Sequence, residues 1–129
     1  SAEAGLHVQI YLRCAQARAV LHVHSPIATV ASRRFEAHGA MRFVNYELLK
    51  AFEGVSDHDL EFELPVVGND QNIDRLAASI EPRLGQAGTL PGYLIAGHGV
   101  YAWGRSVDDA ARHLEALDFL IQCELSDNR

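Results

Sequence analysis

The sequence predicts a layered α/β fold, and three observations carry that prediction. Short apolar runs of strand length alternate along the whole chain with segments whose apolar residues recur at helical spacing. The stretches between them are short, and neither an internal repeat nor a low-complexity segment interrupts the pattern. With 129 residues, 48% of them hydrophobic and 22% charged, there is enough apolar material for one core, so a single domain over residues 1–129 is expected.

Residues 3 to 13 put Leu6, Ile10 and the body of Tyr11 on one helical face, which predicts a helix ending in the loop before Arg18. The run "AVLHVH", from Ala19 to His24, begins with the composition of a buried strand. Pro26 suits the first turn of a helix opening after Ser25, with Ile27, Val30 and Ala31 as its apolar stripe. "HG" at 38–39 turns the chain into the strand "MRFV", and "NYELLKAFEG" predicts a short helix with Asn45 as its cap and Gly54 as its stop. A polar loop follows at 56–61. "FELPVV" reads as a strand whose Pro65 argues for an edge or a bulge, since proline donates no ladder hydrogen bond. "GNDQ" leads into a helix over 72–84, where Ile73, Leu76, Ala77, Ile80 and Leu84 repeat at helical spacing. Two apolar runs, 92–96 and 100–103, are split by Gly97-His98-Gly99 and predict a strand, a sharp turn and a returning strand. Finally, Ser106 with Asp109 makes a capping box for a long closing helix. Val107, Ala110, Leu114, Leu117 and Ile121 form its buried stripe, and Asp108, Arg112 and Glu115 its outer face.

The net charge of -6, with 11 Lys and Arg, gives no basic patch for a nucleic-acid backbone or an anionic membrane, so those partners are not expected. No apolar segment approaches the ~18 residues of a membrane span, and "SAEAGLHVQIY" lacks the basic and apolar regions of a signal peptide. A cytoplasmic protein is the expectation. Cys14 and Cys123 are too few and too far apart in sequence for a disulfide framework or a CxxC zinc site, and read as reduced, partly buried residues.

The histidines carry the chemical signal. Side chains alternate across a strand, so His22 and His24 point to the same face about 7 Å apart along the backbone, close enough to converge on one ion. An HxH alone is weak, because ordinary hydrogen-bonded histidines match it as well. His98 strengthens it, since its two flanking glycines permit unusual backbone angles and close approach of another group. Three imidazoles with an open fourth position are the ligand set of a catalytic zinc site, whereas structural zinc is usually closed by four ligands and rich in cysteine. His7, His38, His58 and His113 fall on predicted helices or polar loops and are left out of the site. Two carboxylates compete for acid/base work. Glu3 begins the first helix, where a carboxylate also simply favours the helix dipole. Glu47 lies between Tyr46 and two leucines, an apolar setting that suits proton transfer but is equally that of an ordinary helix residue. The residues alone do not choose between them.

"SAEAGLHVQIY", "AVLHVHS", "NYELLKAFEG", "VVGNDQNIDRLA" and "GHGVYAWGRSVDDAARHLEALDFL" together resemble the class II aldolase/adducin superfamily, and within it the methylthioribulose-1-phosphate dehydratases, over nearly the whole chain. The most specific part is "GHGVYAWG", because the aldolases proper share the HG turn but usually lack the YxWG. The resemblance implies a three-layer α/β/α fold with a central, largely antiparallel sheet, and a zinc-dependent hydro-lyase of methionine salvage acting on a sugar phosphate. It makes His22, His24 and His98 the zinc ligands, one zinc per subunit, and Glu47 the acid/base residue. In fuculose-phosphate-type aldolases the acid/base glutamate matches Glu3 instead, so a zinc-dependent sugar-phosphate aldolase is the alternative. Ser1 matches a serine that helps hold the substrate phosphate. A non-catalytic, adducin-like binding module is a third possibility, against which the retained histidines argue. The resemblance also implies a homo-oligomer, a tetramer with sites near subunit boundaries. It further implies an N-terminal segment with a phosphate loop that this chain lacks, so the sheet is expected to be incomplete, with apolar surface for that segment to cover.

Overall fold

The computed structural model describes residues 3–52, 61–84 and 90–127; Ser1, Gly54 and residues 56–60 of the expected loop lie outside them. The chain runs α1 (Ala4–Arg13), β1 (Ala19–Val23), α2 (Pro26–Phe35), a 3₁₀ turn at Glu36–His38, β2 (Ala40–Val44) and a 3₁₀ helix at Glu47–Ala51. It continues with β3 (Glu61–Val67), α3 (Ile73–Leu84), β4 (Gly92–Ile95), β5 (Gly99–Gly104) and α4 (Val107–Ser126). None of the helices among the described residues is long and apolar enough to cross a membrane.

Local chemistry explains where the helices start. Ser25 Oγ accepts from the Ala28 N–H at 3.1 Å with Pro26 in the first turn of α2, and Ser106 Oγ accepts from the Asp109 N–H at 3.0 Å to open α4. Asn72 Oδ1 does the same for α3 through the Arg75 N–H at 3.1 Å. Each serves one of the four amide donors that a helix leaves unpaired at its N-terminus.

Among the described residues the strands form one five-stranded sheet in the order β1-β5-β4-β3-β2. Every neighbouring pair is antiparallel except β3 with β4. Side chains alternate across it. Leu94, Val100 and Ala102 pack under Ala28 and Ala31 of α2 and Leu117, Leu120 and Ile121 of α4. Tyr93, Ile95, Tyr101 and Trp103 point the other way, against Leu6 and Ile10 of α1 and Leu76 and Ile80 of α3. The result is the three-layer α/β/α arrangement with a largely antiparallel sheet that the sequence predicts.

Pro65 lies opposite Ala40 of β2, while pairing to β4 begins only at Val66. The Val66 N–H is directed to the Gly39 carbonyl on the β2 side, so the missing Pro65 N–H would have faced the other side, before β4 begins. The edge reading of Pro65 therefore holds locally, inside a strand that is internal to the sheet.

Four sequence expectations are corrected. Val30 is 49% exposed, because the buried face of α2 is Ala28, Ala31 and Ser32, and a residue two positions from Ala28 lies about 200° round the helix. Val107 is 64% exposed in the first turn of α4, whose stripe instead widens through Ala116 and Leu120; Asp108, Arg112 and Glu115 are exposed as expected. Tyr11 turns outward beside buried Ile10. Asn45 does not cap a helix: it takes φ 64°, a left-handed conformation that asparagine tolerates, and Tyr46 occupies the position before the 3₁₀ helix.

Leu117 is fully buried between α4 and the sheet, and its side chain also approaches Gly92. Leu117→Ala should lower the unfolding free energy by about 2–5 kcal/mol in denaturant titration. Val107→Ala should change it by no more than about 0.5 kcal/mol, the range for exposed positions.

Candidate metal centre

Pairing of β1 with β5 sets His22 directly opposite Tyr101 and Val23 opposite Val100. His24 follows just past the end of β1, next to the Ser25 cap of α2, whose hydroxyl donates to Asp118 Oδ1 of α4 at 3.0 Å. That bond fastens the His24 junction to the longest helix. His98 occupies the turn between β4 and β5. The turn depends on Gly97 at φ +68° and on Ser32 of α2, which accepts the Gly97 N–H at 2.9 Å and donates to the Thr29 carbonyl at 2.7 Å. Gly99 has no room for a side chain: a Cβ there would stand 2.4 Å from the Val23 carbonyl oxygen and 3.3 Å from the His22 ring.

These supports bring three imidazoles together. The ring centroids lie 4.9 Å apart for His22 and His24, and 5.1 Å for each of them with His98. One ligating nitrogen from each lies within 4.8 Å of the other two. His22 Nδ1–H donates to the Val100 carbonyl at 3.0 Å, which leaves Nε2 of the neutral ring as a lone pair. That nitrogen is 3.1 Å from His24 Nε2. Two lone pairs at this distance repel unless a proton or a cation lies between them, so the donor set fits a metal ion. Burial holds the His22 pKa below the ordinary imidazole value, and the neighbouring His98 and His24 push the same way. Neutral imidazole is the form that ligates. Neither cysteine is among the grouped donors; both are free and half-buried, and burial pushes the Cys14 thiol up to about 11.

Of the two carboxylates singled out in the sequence, Glu3 is the one that faces the histidines. Its Oε1 lies 3.3 Å from His98 Nε2 and 3.6 Å from His22 Nε2, and accepts the Tyr101 hydroxyl at 2.8 Å. Burial works to raise the Glu3 pKa, but the Tyr101 hydrogen bond and the histidines outweigh it, and the net shift is downward. Glu47 is not brought to the trio within this chain. It follows β2, and four strand spacings, roughly 19 Å, separate that edge of the sheet from β1. Its exposed carboxylate pairs with Lys50 at 2.6 Å, beside a hollow formed with Leu48 and Phe119. Ser1 lies outside the described residues.

His113 Nδ1–H donates to the Trp103 carbonyl at 2.7 Å, and His38 lies against Phe35. Sequence reasoning passed over Tyr101 and Ser32. Tyr101 had the look of an apolar strand residue, and only the β1–β5 register puts it under His22. Ser32 is a buried serine in a helix, and nothing in its neighbours along the chain points to the Gly97 amide.

The chain matches the family described as Class II Aldolase and Adducin N-terminal domain over residues 1–125. A methylthioribulose-1-phosphate dehydratase of Parvibaculum lavamentivorans is 50% identical over 125 residues, 97% of this chain and 61% of that protein. One of Xanthomonas campestris is also 50% identical over 97% of this chain, covering 57% of its own length. The chain thus spans about six tenths of the length of these curated relatives. Among solved structures, YgbL of Escherichia coli, a putative aldolase/epimerase/decarboxylase, superposes with a TM-score of 0.75 at 22% identity over 100% of this chain and 59% of its own. The l-fuculose-1-phosphate aldolase of Thermus thermophilus gives a TM-score of 0.69 at 23% identity, covering 97% and 60%. At these identities the structures establish the shared fold.

Metal analysis of the intact protein should find one equivalent of divalent metal per chain. His98→Ala should lose it on dialysis, and His113→Ala, whose ring is engaged elsewhere, should keep it. Retention by His98→Ala at full stoichiometry would remove His98 from the ligand set.

Proposed function

The chain belongs to the class II aldolase and adducin N-terminal domain family, and on that footing we propose that it forms the metal-holding part of a zinc-dependent methylthioribulose-1-phosphate dehydratase. The reaction removes water from 5-methylthioribulose 1-phosphate to give 2,3-diketo-5-methylthiopentyl 1-phosphate, a step of methionine salvage in the cytoplasm. The observation that carries this reading is the 50% identity, over 97% of the chain, to relatives named as that dehydratase. The imidazole trio supports it, because a cluster of three histidines without cysteine suits a catalytic zinc.

Zinc held by His22, His24 and His98 would supply Lewis acidity toward the C2 carbonyl oxygen and so favour loss of the C3 proton. The chain's own groups handle the protons. The C4 hydroxyl leaves as water only after gaining one, and Glu47 is the donor assigned to it, following the family pattern. Loss of the C3 hydrogen and the C4 hydroxyl leaves an enol. The enol becomes the diketone when its hydroxyl proton is given up and C4 takes one. In the proposed homotetramer Glu47 serves the trio of a neighbouring copy. Its exposure, its place across the sheet from β1, and the exposed Leu48 and Phe119 beside it all suit that arrangement.

A second reading, a zinc-dependent sugar-phosphate aldolase with Glu3 as base, is favoured by the contact of Glu3 with His98 and His22.

Product analysis separates the two: dehydration conserves the carbon skeleton, whereas retro-aldol cleavage releases two fragments. Glu47→Gln in the intact protein should keep zinc and fold while turnover falls by about 10² to 10⁴, the usual worth of general acid/base catalysis. Glu3→Gln should lower turnover less. The reverse ranking, with two fragments released, would replace the dehydratase by the aldolase. Co-expressed Glu47→Gln and His98→Ala chains, each inactive alone, should recover activity if Glu47 serves a neighbour; no recovery would place acid and metal in one chain.

A further inference from the structure

We propose that Tyr101 is a positioning residue of the metal centre: its ring braces His22 and its hydroxyl fixes the Glu3 carboxylate against the trio. The inference rests on the reading of His22, His24 and His98 as metal ligands and adds to it a residue outside that ligand set.

Two independent contacts define the role. Tyr101 is directly opposite His22 in the antiparallel pair, so both side chains leave the same face of the sheet. Their rings stack with centroids 4.1 Å apart and planes inclined by 14°. The far side of the Tyr101 ring is backed by Tyr93, its cross-strand neighbour on β4, at 5.3 Å and 29°. The edge of His7 closes on it at 5.4 Å. Tyr101 is fully buried in this cage, so its ring has one place to be. Rotation of the His22 ring is limited by that stack, while the Val100 carbonyl holds its Nδ1.

The hydroxyl does the second task. It donates to Glu3 Oε1 at 2.8 Å, and that same oxygen is the one nearest His98 and His22. Glu3 is the residue that opens α1, its carbonyl accepting the Leu6 N–H at 3.0 Å, so the helix sets its backbone while the Tyr101 hydroxyl engages its side chain. The buried phenol therefore holds the carboxylate in the rotamer that faces the imidazoles. Three neutral histidines give a divalent ion no compensating charge, so an oriented carboxylate beside them strengthens the site. Tyr93 makes an informative contrast: it is as deeply buried in the same aromatic row, but among the described residues its hydroxyl has no hydrogen-bond partner.

Tyr101→Phe keeps the ring stack and removes only the donor, so the fold should survive. The test uses the intact protein loaded with cobalt(II), reading the visible d–d spectrum and the metal affinity by chelator competition. Tyr101→Phe should weaken cobalt binding by about 10- to 100-fold, the usual effect of losing such a support, and shift the d–d bands. Tyr93→Phe should leave both as in the parent. In a Glu3→Ala background, Tyr101→Phe should have little further effect, because the hydroxyl acts through Glu3. A Tyr101→Phe protein with the parent spectrum and affinity overturns the inference, as does an effect undiminished in the Glu3→Ala background. A parent protein that takes up no cobalt overturns the metal reading and this inference with it.

Discussion

The register of β1 against β5 is the constraint from which the rest of the candidate metal centre follows. It sets His22 opposite Tyr101, lays the Val100 carbonyl within reach of His22 Nδ1, and brings the Val23 carbonyl so close to Gly99 that no side chain fits. A slip of one residue would turn His22 from the face of Tyr93 and Tyr101 to the face of α2 and α4, because side chains alternate with period two. It would also push Val20 out of its present core, so the hydrophobic pattern that folds the sheet is the same pattern that places the imidazoles. Site and core are therefore one problem. The glycine between His98 and Val100 is where they meet, since its missing side chain permits both the tight strand approach and the closeness of the His22 ring.

The remaining supports come from both helical layers. From one side, α1 delivers Glu3 through the burial of Leu6 and Ile10 against α3 and the sheet. From the other, α2 holds the Gly97 amide through Ser32, and α4 holds Ser25 through Asp118. Ser32 is the one fully buried polar residue among those described, and its hydroxyl is satisfied in both directions, as acceptor from Gly97 and donor to Thr29. A buried hydroxyl left half-satisfied would cost about 1–3 kcal/mol. Ser32 is thus tolerable in an apolar helix face only because the histidine turn is where it is.

How much of this was legible in the sequence depended on the distance over which each cause acts. His22 and His24 could be placed on one face because strand alternation is local, and the turn at His98 because glycine acts on its own backbone. The caps at Ser25 and Ser106 were readable for the same reason. Tyr101 was not, since its role is created by two strands nearly eighty positions apart in the chain and by a helix preceding both. Val30 and Val107 were misplaced because periodicity tells which residues share a face and leaves open which of two overlapping faces meets the sheet. Small residues decided it in α2, where Ala28 and Ala31 let the helix lie close over Leu94 and Val100.

The two carboxylates show the same division at the level of chemistry. Glu3 is held by a buried phenol and faces the half-buried His22 and His98, so moving it means giving up contacts made in a partly desolvated setting. Glu47 is held by Lys50 alone among its described ion pairs, on a surface where such a pair is worth about 0–1 kcal/mol. Anything that approaches the hollow at Leu48 and Phe119 can therefore redirect Glu47 at small cost, whereas Glu3 is held in its place by contacts within the chain. A carboxylate fixed beside the imidazoles and another that is easily redirected are suited to different tasks: in the proposed function the first would tune the charge of a bound ion and the second would move a proton. The proposed dehydration, which needs both metal polarisation and a protonated leaving group, would draw on that separation, and the difference in burial between the two carboxylates is its physical basis.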